Sequence, residues 1–271
     1  TPPFLNTSQP SQMDRNGNAT APFLDAGQYT ADSIQDYELV YGKAFVSPGG
    51  KACADDLIQK MALAADDVVL DAGCGLGGSA FLMASKFGLR VDAIDLSENM
   101  IALAQNRLCE LDSPKTIQLK QEDCLQIDAE QKYNGIYSRD VFLHISEKQK
   151  LFSVLHRALK VTGKLLFTDY CCSPPPWDET FSTYVEKRGY HLRTVADYSA
   201  LIEQAGFQVI EALDRTEDFI NFSEQELDRI ETLTTTPFVK QHLRSAWLAK
   251  IHRAREGNQR WGQFLAIKIT E

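Results

Sequence analysis

The stretch VVLDAGCGLGG, residues 68–78, decides the fold. Apolar, β-favouring residues run into an acid, Asp71, and then into a turn carrying Gly73, Gly75, Gly77 and Gly78. Residues 68–71 read as a buried strand, 73–78 as a loop, and the apolar run through Phe87 as a helix. Glycine lets a backbone turn sharply and approach a ligand closely. Outward from this point the alternation continues. VDAID (91–95) reads as a second strand, and Ser97 caps a helix over 98–110. Further strands are expected at 117–121, 133–138 and 164–169, with an amphipathic helix over 147–160 stopped by Thr162-Gly163. Helices at 178–188 and 195–205 follow, then strands at 207–213 and 264–269 separated by helical stretches 224–234 and 238–254. Upstream, Thr30 caps a helix with Ile34, Tyr37, Val40 and Tyr41 on one face, ending near Gly42. Such alternation implies an α/β fold: a parallel sheet with helices on both faces. Ligands bind beyond the carboxyl ends of such strands. That rule singles out residues 71–78, Asp95, Asp123, 138–144 and 169–172.

Composition bounds the rest. The chain has 271 residues with 28 Lys and Arg against 37 Asp and Glu, a net charge of −9, which argues against a general nucleic-acid binder. No run approaches the roughly 18 apolar residues of a membrane span. The first residues carry neither a basic nor an apolar signal region. Residues 1–22, rich in Asn, Gln, Ser, Thr and Pro, read as a flexible leader or linker, and 23–271 as one domain. Cys53, Cys74, Cys109, Cys124, Cys171 and Cys172 form no C-x-x-C pair, so reduced thiols in a cytoplasmic protein are expected, and no metal site.

Gly73-x-Gly75-x-x-Gly78 also satisfies a dinucleotide fingerprint, a weak signal alone. Three features favour S-adenosylmethionine. Asp71 directly before the glycines would repel a pyrophosphate but welcome an aminoacyl ammonium. Asp123, a second strand-end acid, suits the adenine amino group, while Asp95 suits a ribose hydroxyl pair. The segment before the first strand is long enough to form a lid.

The pattern VLDAGCGLGG resembles class I S-adenosylmethionine-dependent methyltransferases. FLDAGQYT (23–30), YGKAFVSPGG (41–50), YSRDVFLHI (137–145), TDYC (168–171), YVEKRGY (184–190) and QRWG (259–262) look like one family, the phosphoethanolamine N-methyltransferases. The resemblance spans 23–271 and implies a Rossmann-like, mostly parallel seven-stranded sheet, an N-terminal helical lid and an inserted substrate-binding segment. It implies donor contacts from Tyr37, Ser47, Gly73, Asp95, Leu96, Asp123, Cys124 and Arg139. It implies substrate contacts from Gln28, Tyr29, Asp140, Tyr170, Tyr184, Arg188, Tyr190 and Lys250, and a catalytic pair of Tyr29 and His144. The implied activity is methylation of phosphomonomethylethanolamine and phosphodimethylethanolamine toward phosphocholine, by a cytoplasmic monomer with a small-molecule phosphobase as partner, and no nucleic acid or membrane. Leu96 and Cys124 stand where relatives can carry isoleucine, an apolar exchange.

The chemistry fits those residue types. An aliphatic ammonium titrates near 10, so the substrate must lose a proton before its nitrogen can attack. A histidine is largely neutral at pH 7 and can take it; Tyr29 can pass the proton or orient the amine, and Asp140 can pair with the ammonium. Arg188 offers a planar fork to phosphate, Lys250 a point charge, and the tyrosines hydroxyl donors. Tyr184 and Arg188 share a helix face at i,i+4. In the basic stretch 240–260 every cation but Lys250 reads as a solvated face, Cys171-Cys172 as cavity wall, and Trp177 as a loop anchor. Two other readings stay open from residues alone: a methyltransferase for a sterol or fatty chain, and a donor-binding module without catalysis.

Overall fold

The computed structural model describes residues 13–111 and 115–270. Along the chain run α1 (Ala21–Ala26), α2 (Ala31–Tyr41), α3 (Gly50–Met61), β1 (Val68–Ala72), α4 (Gly78–Phe87), β2 (Arg90–Asp95), α5 (Glu98–Glu110), β3 (Ile117–Gln121), β4 (Tyr133–Arg139), α6 (Lys148–Ala158), β5 (Leu159–Cys172), α7 (Glu179–Arg188), α8 (Val195–Gln204), β6 (Phe207–Asp214), α9 (Thr216–Thr232), α10 (Pro237–Arg255) and β7 (Gln259–Lys268). One seven-stranded sheet has the order β3-β2-β1-β4-β5-β7-β6. β1 lies parallel to both β2 and β4, so the order reverses beside it and opens a crevice at its carboxyl end. β7 runs antiparallel to β5 and β6. This is the mostly parallel class I methyltransferase sheet.

Short polar caps set the helix starts. Thr30, Ser97, Asp178, Thr194 and Thr236 each accept a hydrogen bond from the amide three residues on, worth about 1 kcal/mol apiece. Two apolar layers sandwich the sheet. One joins Leu57 and Met61 of α3, Ala80 and Met83 of α4 and Trp247 of α10. The other joins Phe152 and Leu155 of α6, Tyr198 and Ile202 of α8, and Phe167 and Phe264 of the sheet.

Several boundaries differ from the sequence reading. The first twelve residues of the expected leader lie outside the described residues. Its second half is not loose: Ala19 N donates to His144 O at 3.1 Å, and Asn18 Oδ1 accepts from Ser146 N at 2.9 Å. α3 was not anticipated, because Gly49 at its start caps with no side chain; yet Cys53, Ala54, Leu57, Ile58 and Met61 make a buried stripe at helical spacing. α9 starts at Thr216, not at 224, since Phe219 and Ile220 are core. Thr162, read with Gly163 as the stop after α6, has φ +68 and sits inside β5, which begins at Leu159. β7 starts five residues earlier than expected, because it pairs with β5 as far as Cys172 opposite Gln259. Cys171 and Cys172 face the core, not the cavity.

Candidate active site

The glycine turn is sterically obligate. Gly73 has φ +78, and a Cβ there would fall 2.2 Å from Val141 Cγ2. Gly73 N and Cys74 N donate to Ile94 O, each at 2.8 Å, and Gly75 N donates to Asp95 Oδ2 at 2.8 Å. Asp95 Oδ1 accepts from Ser97 N at 2.9 Å. The end of β2 therefore ties the turn to the start of α5. Burial pushes the Asp95 carboxyl up to about 6 and Asp71 up to about 8. Asp71 Oδ2 is buried and has no partner among the described residues. Asp123 Oδ1 accepts from Leu125 N at 2.8 Å, and Asp123 lines the crevice with Leu96 and Cys124.

Beyond β4, the chain turns at Asp140 (φ +55) into a single 3₁₀ turn, Phe142–His144. Arg139 donates from Nη2 to Pro48 O at 2.6 Å and from Nε to Thr168 Oγ1 at 3.1 Å, which fastens the Ser47-Pro48 corner over the sheet. Asp140 Oδ1 accepts from Trp261 Nε1 at 2.8 Å, whereas Oδ2 is buried with no partner among the described residues. His144 Nε2 lies 3.1 Å from the Tyr29 hydroxyl. Gln28 Nε2 donates to that same hydroxyl at 3.3 Å, and the Tyr190 hydroxyl donates to Gln28 Oε1 at 3.0 Å. Burial, with Lys148 and Arg188 nearby, depresses His144 to about 3, so the imidazole is neutral at pH 7. Burial drives the Tyr29 hydroxyl upward, so it stays protonated.

The third wall is cationic and aromatic. α7 ends at Arg188, Gly189 takes φ +63, and Tyr190 turns back toward Tyr184, with ring centroids 5.7 Å apart. Tyr170 meets Tyr190 edge-on at 6.4 Å. Arg188 and Tyr37 both line this cavity. Lys250 Nζ donates to the Tyr41 hydroxyl at 2.6 Å and lies 4.0 Å over the Trp247 ring. Its burial lowers it to about 8, partly offset by Glu226. Every residue expected to contact donor or substrate, from Gln28 through Lys250, lines one continuous cavity with the glycine turn. Among the described residues, no three or more His, Cys, Asp or Glu are grouped to hold a metal ion.

Residues 69–163 match the family model of a methyltransferase domain. The chain is 31% identical to the phosphoethanolamine N-methyltransferase of Plasmodium falciparum, over 93% of this chain and 98% of that protein. The chain belongs to the phosphoethanolamine N-methyltransferase family. It is also 38% identical to phosphoethanolamine N-methyltransferase 1 of Zea mays, over 91% of this chain but 50% of that protein. It thus spans about half the length of the plant relatives it matches. Among solved structures it resembles phosphoethanolamine N-methyltransferase 2 of Haemonchus contortus in complex with phosphomonomethylethanolamine and S-adenosylhomocysteine. The TM-score is 0.89 at 32% identity, covering 93% of this chain and 60% of that one.

In this phosphoethanolamine N-methyltransferase fold, the cavity also takes in Arg253, Tyr41 and Trp247, which the sequence reading does not place there. Arg253 was assigned to a solvated face. Instead its guanidinium stacks 3.7 Å from the Tyr184 ring, and Nε donates to Gln259 Oε1 at 3.0 Å. It falls three residues after Lys250 on α10, a spacing that puts both on one helix face. Tyr41, expected on the apolar face of its helix, and Trp247, not singled out in the sequence, are core residues that also line this cavity. Three other cations of that stretch are surface pairs, Arg244 with Glu231 at 2.7 Å, Arg260 with Asp214 at 2.8 Å, and Arg255 with Glu224, while Lys240 Nζ donates to Glu231 O at 3.0 Å. Trp177 anchors its loop by donating to Ser173 O at 2.8 Å.

Proposed function

We propose that the chain is an S-adenosylmethionine-dependent N-methyltransferase acting on phosphomonomethylethanolamine and phosphodimethylethanolamine to make phosphocholine. The observation that carries this reading is the division of one cavity. A glycine turn with strand-end acids lies on one side, a neutral tyrosine–histidine pair in the middle, and Arg188, Lys250 and phenols on the other. The donor supplies an electrophilic methyl group. Gly73, Asp95, Leu96, Asp123 and Cys124 would cradle it, with Tyr37, Ser47 and Arg139 closing over; the unpaired Asp71 oxygen suits its ammonium. Arg188 and Lys250 would hold the phosphate, with hydroxyls from Tyr170, Tyr184 and Tyr190. Gln28 and the free Asp140 oxygen would face the amine. His144, already neutral, takes the amine proton directly or through Tyr29. Holding the freed nitrogen against the methyl carbon supplies much of the rate. An apolar acceptor finds little support here, since a sterol or fatty chain has no use for buried Lys250 and half-buried Arg188.

The six unpaired thiols support a reducing, cytoplasmic setting; a monomer is part of the proposal. Among the described residues, no helix is long and apolar enough to cross a membrane. Turnover with labelled donor and each of the three phosphobases tests the reading. Methyl incorporation into the mono- and dimethyl forms is expected; incorporation into neither overturns it.

A further inference from the structure

The shortest α-helix among the described residues carries a heavy task. α1 spans six residues, Ala21–Ala26, and a helix of that length does not hold itself together in water. Tyr29 hangs from it: Tyr29 N donates to Leu24 O at 2.8 Å. The position of the Tyr29 hydroxyl against His144 is therefore set by whatever anchors residues 24–29. One anchor is the Asn18–Ala19 segment, hydrogen-bonded to the backbone of His144 and Ser146. The other is the loop between β2 and α5 together with the first turn of α5. Asp25 accepts from Ser97 Oγ at 2.5 Å, from Glu98 N at 3.1 Å and from Asn99 N at 3.4 Å. Asn99 Nδ2 returns the contact, donating to Tyr29 O at 2.9 Å and to Asp25 O at 3.5 Å.

That loop is also fastened to the glycine turn. Asp95 holds Gly75 N with one oxygen and Ser97 N with the other, and Leu96 between them lines the cavity. Four consecutive residues thus touch the donor end of the cavity at one side and the support of Tyr29 at the other. We propose that Asn99 is a positioning residue for Tyr29, and that through Asn99 and Asp25 filling of the glycine-turn end is coupled to seating of residues 21–29 over His144. The inference rests on reading that end as the donor site. Coupling of this kind is reciprocal and typically amounts to about 5- to 150-fold in affinity. A ligand that favours one arrangement of Leu96–Asn99 favours the seated arrangement of Tyr29 by the same factor.

The test is hydrogen–deuterium exchange of the full chain with and without S-adenosylhomocysteine, with the Kd of that ligand from calorimetry. In the wild-type chain, binding should slow exchange of amides 21–29 by about fivefold or more. Asn99→Ala should lose most of that slowing and, because the coupling is reciprocal, bind S-adenosylhomocysteine more weakly by a matching factor of about five. Asp25→Asn, which weakens the same junction from the other side, should show the same loss and serves if Asn99→Ala fails to fold. A purely structural role would lower stability in both states and leave the ligand-dependent slowing intact; that result overturns the inference, as does wild-type binding with no slowing at 21–29. Failure of the wild-type chain to bind S-adenosylhomocysteine at all would overturn the donor reading itself, a separate outcome visible in the calorimetry alone.

Discussion

In the proposed reaction the chemistry turns on His144. Its ring is buried, its Nδ1 has no partner among the described residues, and its Nε2 faces Tyr29 at 3.1 Å. Replacement by Gln keeps a polar side chain but removes the base, so turnover should fall about 10²- to 10⁴-fold with donor-product Kd unchanged; near wild-type turnover removes His144 from the reaction. The same residue leaves a mark on stability. Its folded pKa of about 3 lies below the unfolded 6.5. The unfolded chain therefore takes up a proton first, and stability present above about pH 6.5 drains away as pH falls toward 3. Between about pH 8 and about pH 5 this group alone should cost about 2 kcal/mol. Urea melts of wild type and His144→Gln should diverge by that amount; identical pH dependence contradicts it. Lys250 has the opposite logic for binding. Lowered to about 8 by burial, it is charged below that pH and neutral above. Phosphocholine, which has no titratable amine, should bind more weakly as pH rises through about 8, and Lys250→Gln should bind weakly without that step. A step that survives in Lys250→Gln assigns it to another group.

Among the elements, the glycine turn admits the least change. An added methyl at Gly73 meets Val141 at 2.2 Å and sits on a left-handed backbone, which alone costs a non-glycine residue about 1–2 kcal/mol. Gly73→Ala should weaken donor-product binding at least about tenfold while β4 and its neighbours stay folded; unchanged affinity by calorimetry would mean the turn does not contact the donor. This turn was legible because strand, acid and glycines are local in sequence. The caps at Thr30 and Ser97 were legible for the same reason: a side chain and an amide three residues apart. What stayed hidden was non-local. The start of β7 depends on pairing with a β5 strand nearly a hundred residues earlier. Residues 13–20 look like a loose polar leader until their partner, the 144–147 turn, is in view. Arg253 looked like one more surface cation because nothing near it in the chain reveals Tyr184. α3 is the exception, since its buried stripe was present locally and only its uncapped glycine start concealed it.

At the scale of the molecule, the sheet order places the site. With β1 flanked by β2 on one side and β4 on the other, the ends of β1, β2 and β4 open together. Residues from Gln28 to Arg253 converge there. No local segment contains both the cation wall and the glycine turn; only the completed sheet brings them to one cavity. That convergence claims a definite ligand orientation, anion toward α7 and α10, nitrogen toward Tyr29 and the glycine turn. A crystal structure with S-adenosylhomocysteine and phosphocholine reads it directly. The expected density has the phosphate within hydrogen-bond reach of Arg188 and Lys250 and the trimethylammonium between Tyr29 and the sulfur. A phosphate bound away from both cations, or a nitrogen turned from the sulfur, contradicts it.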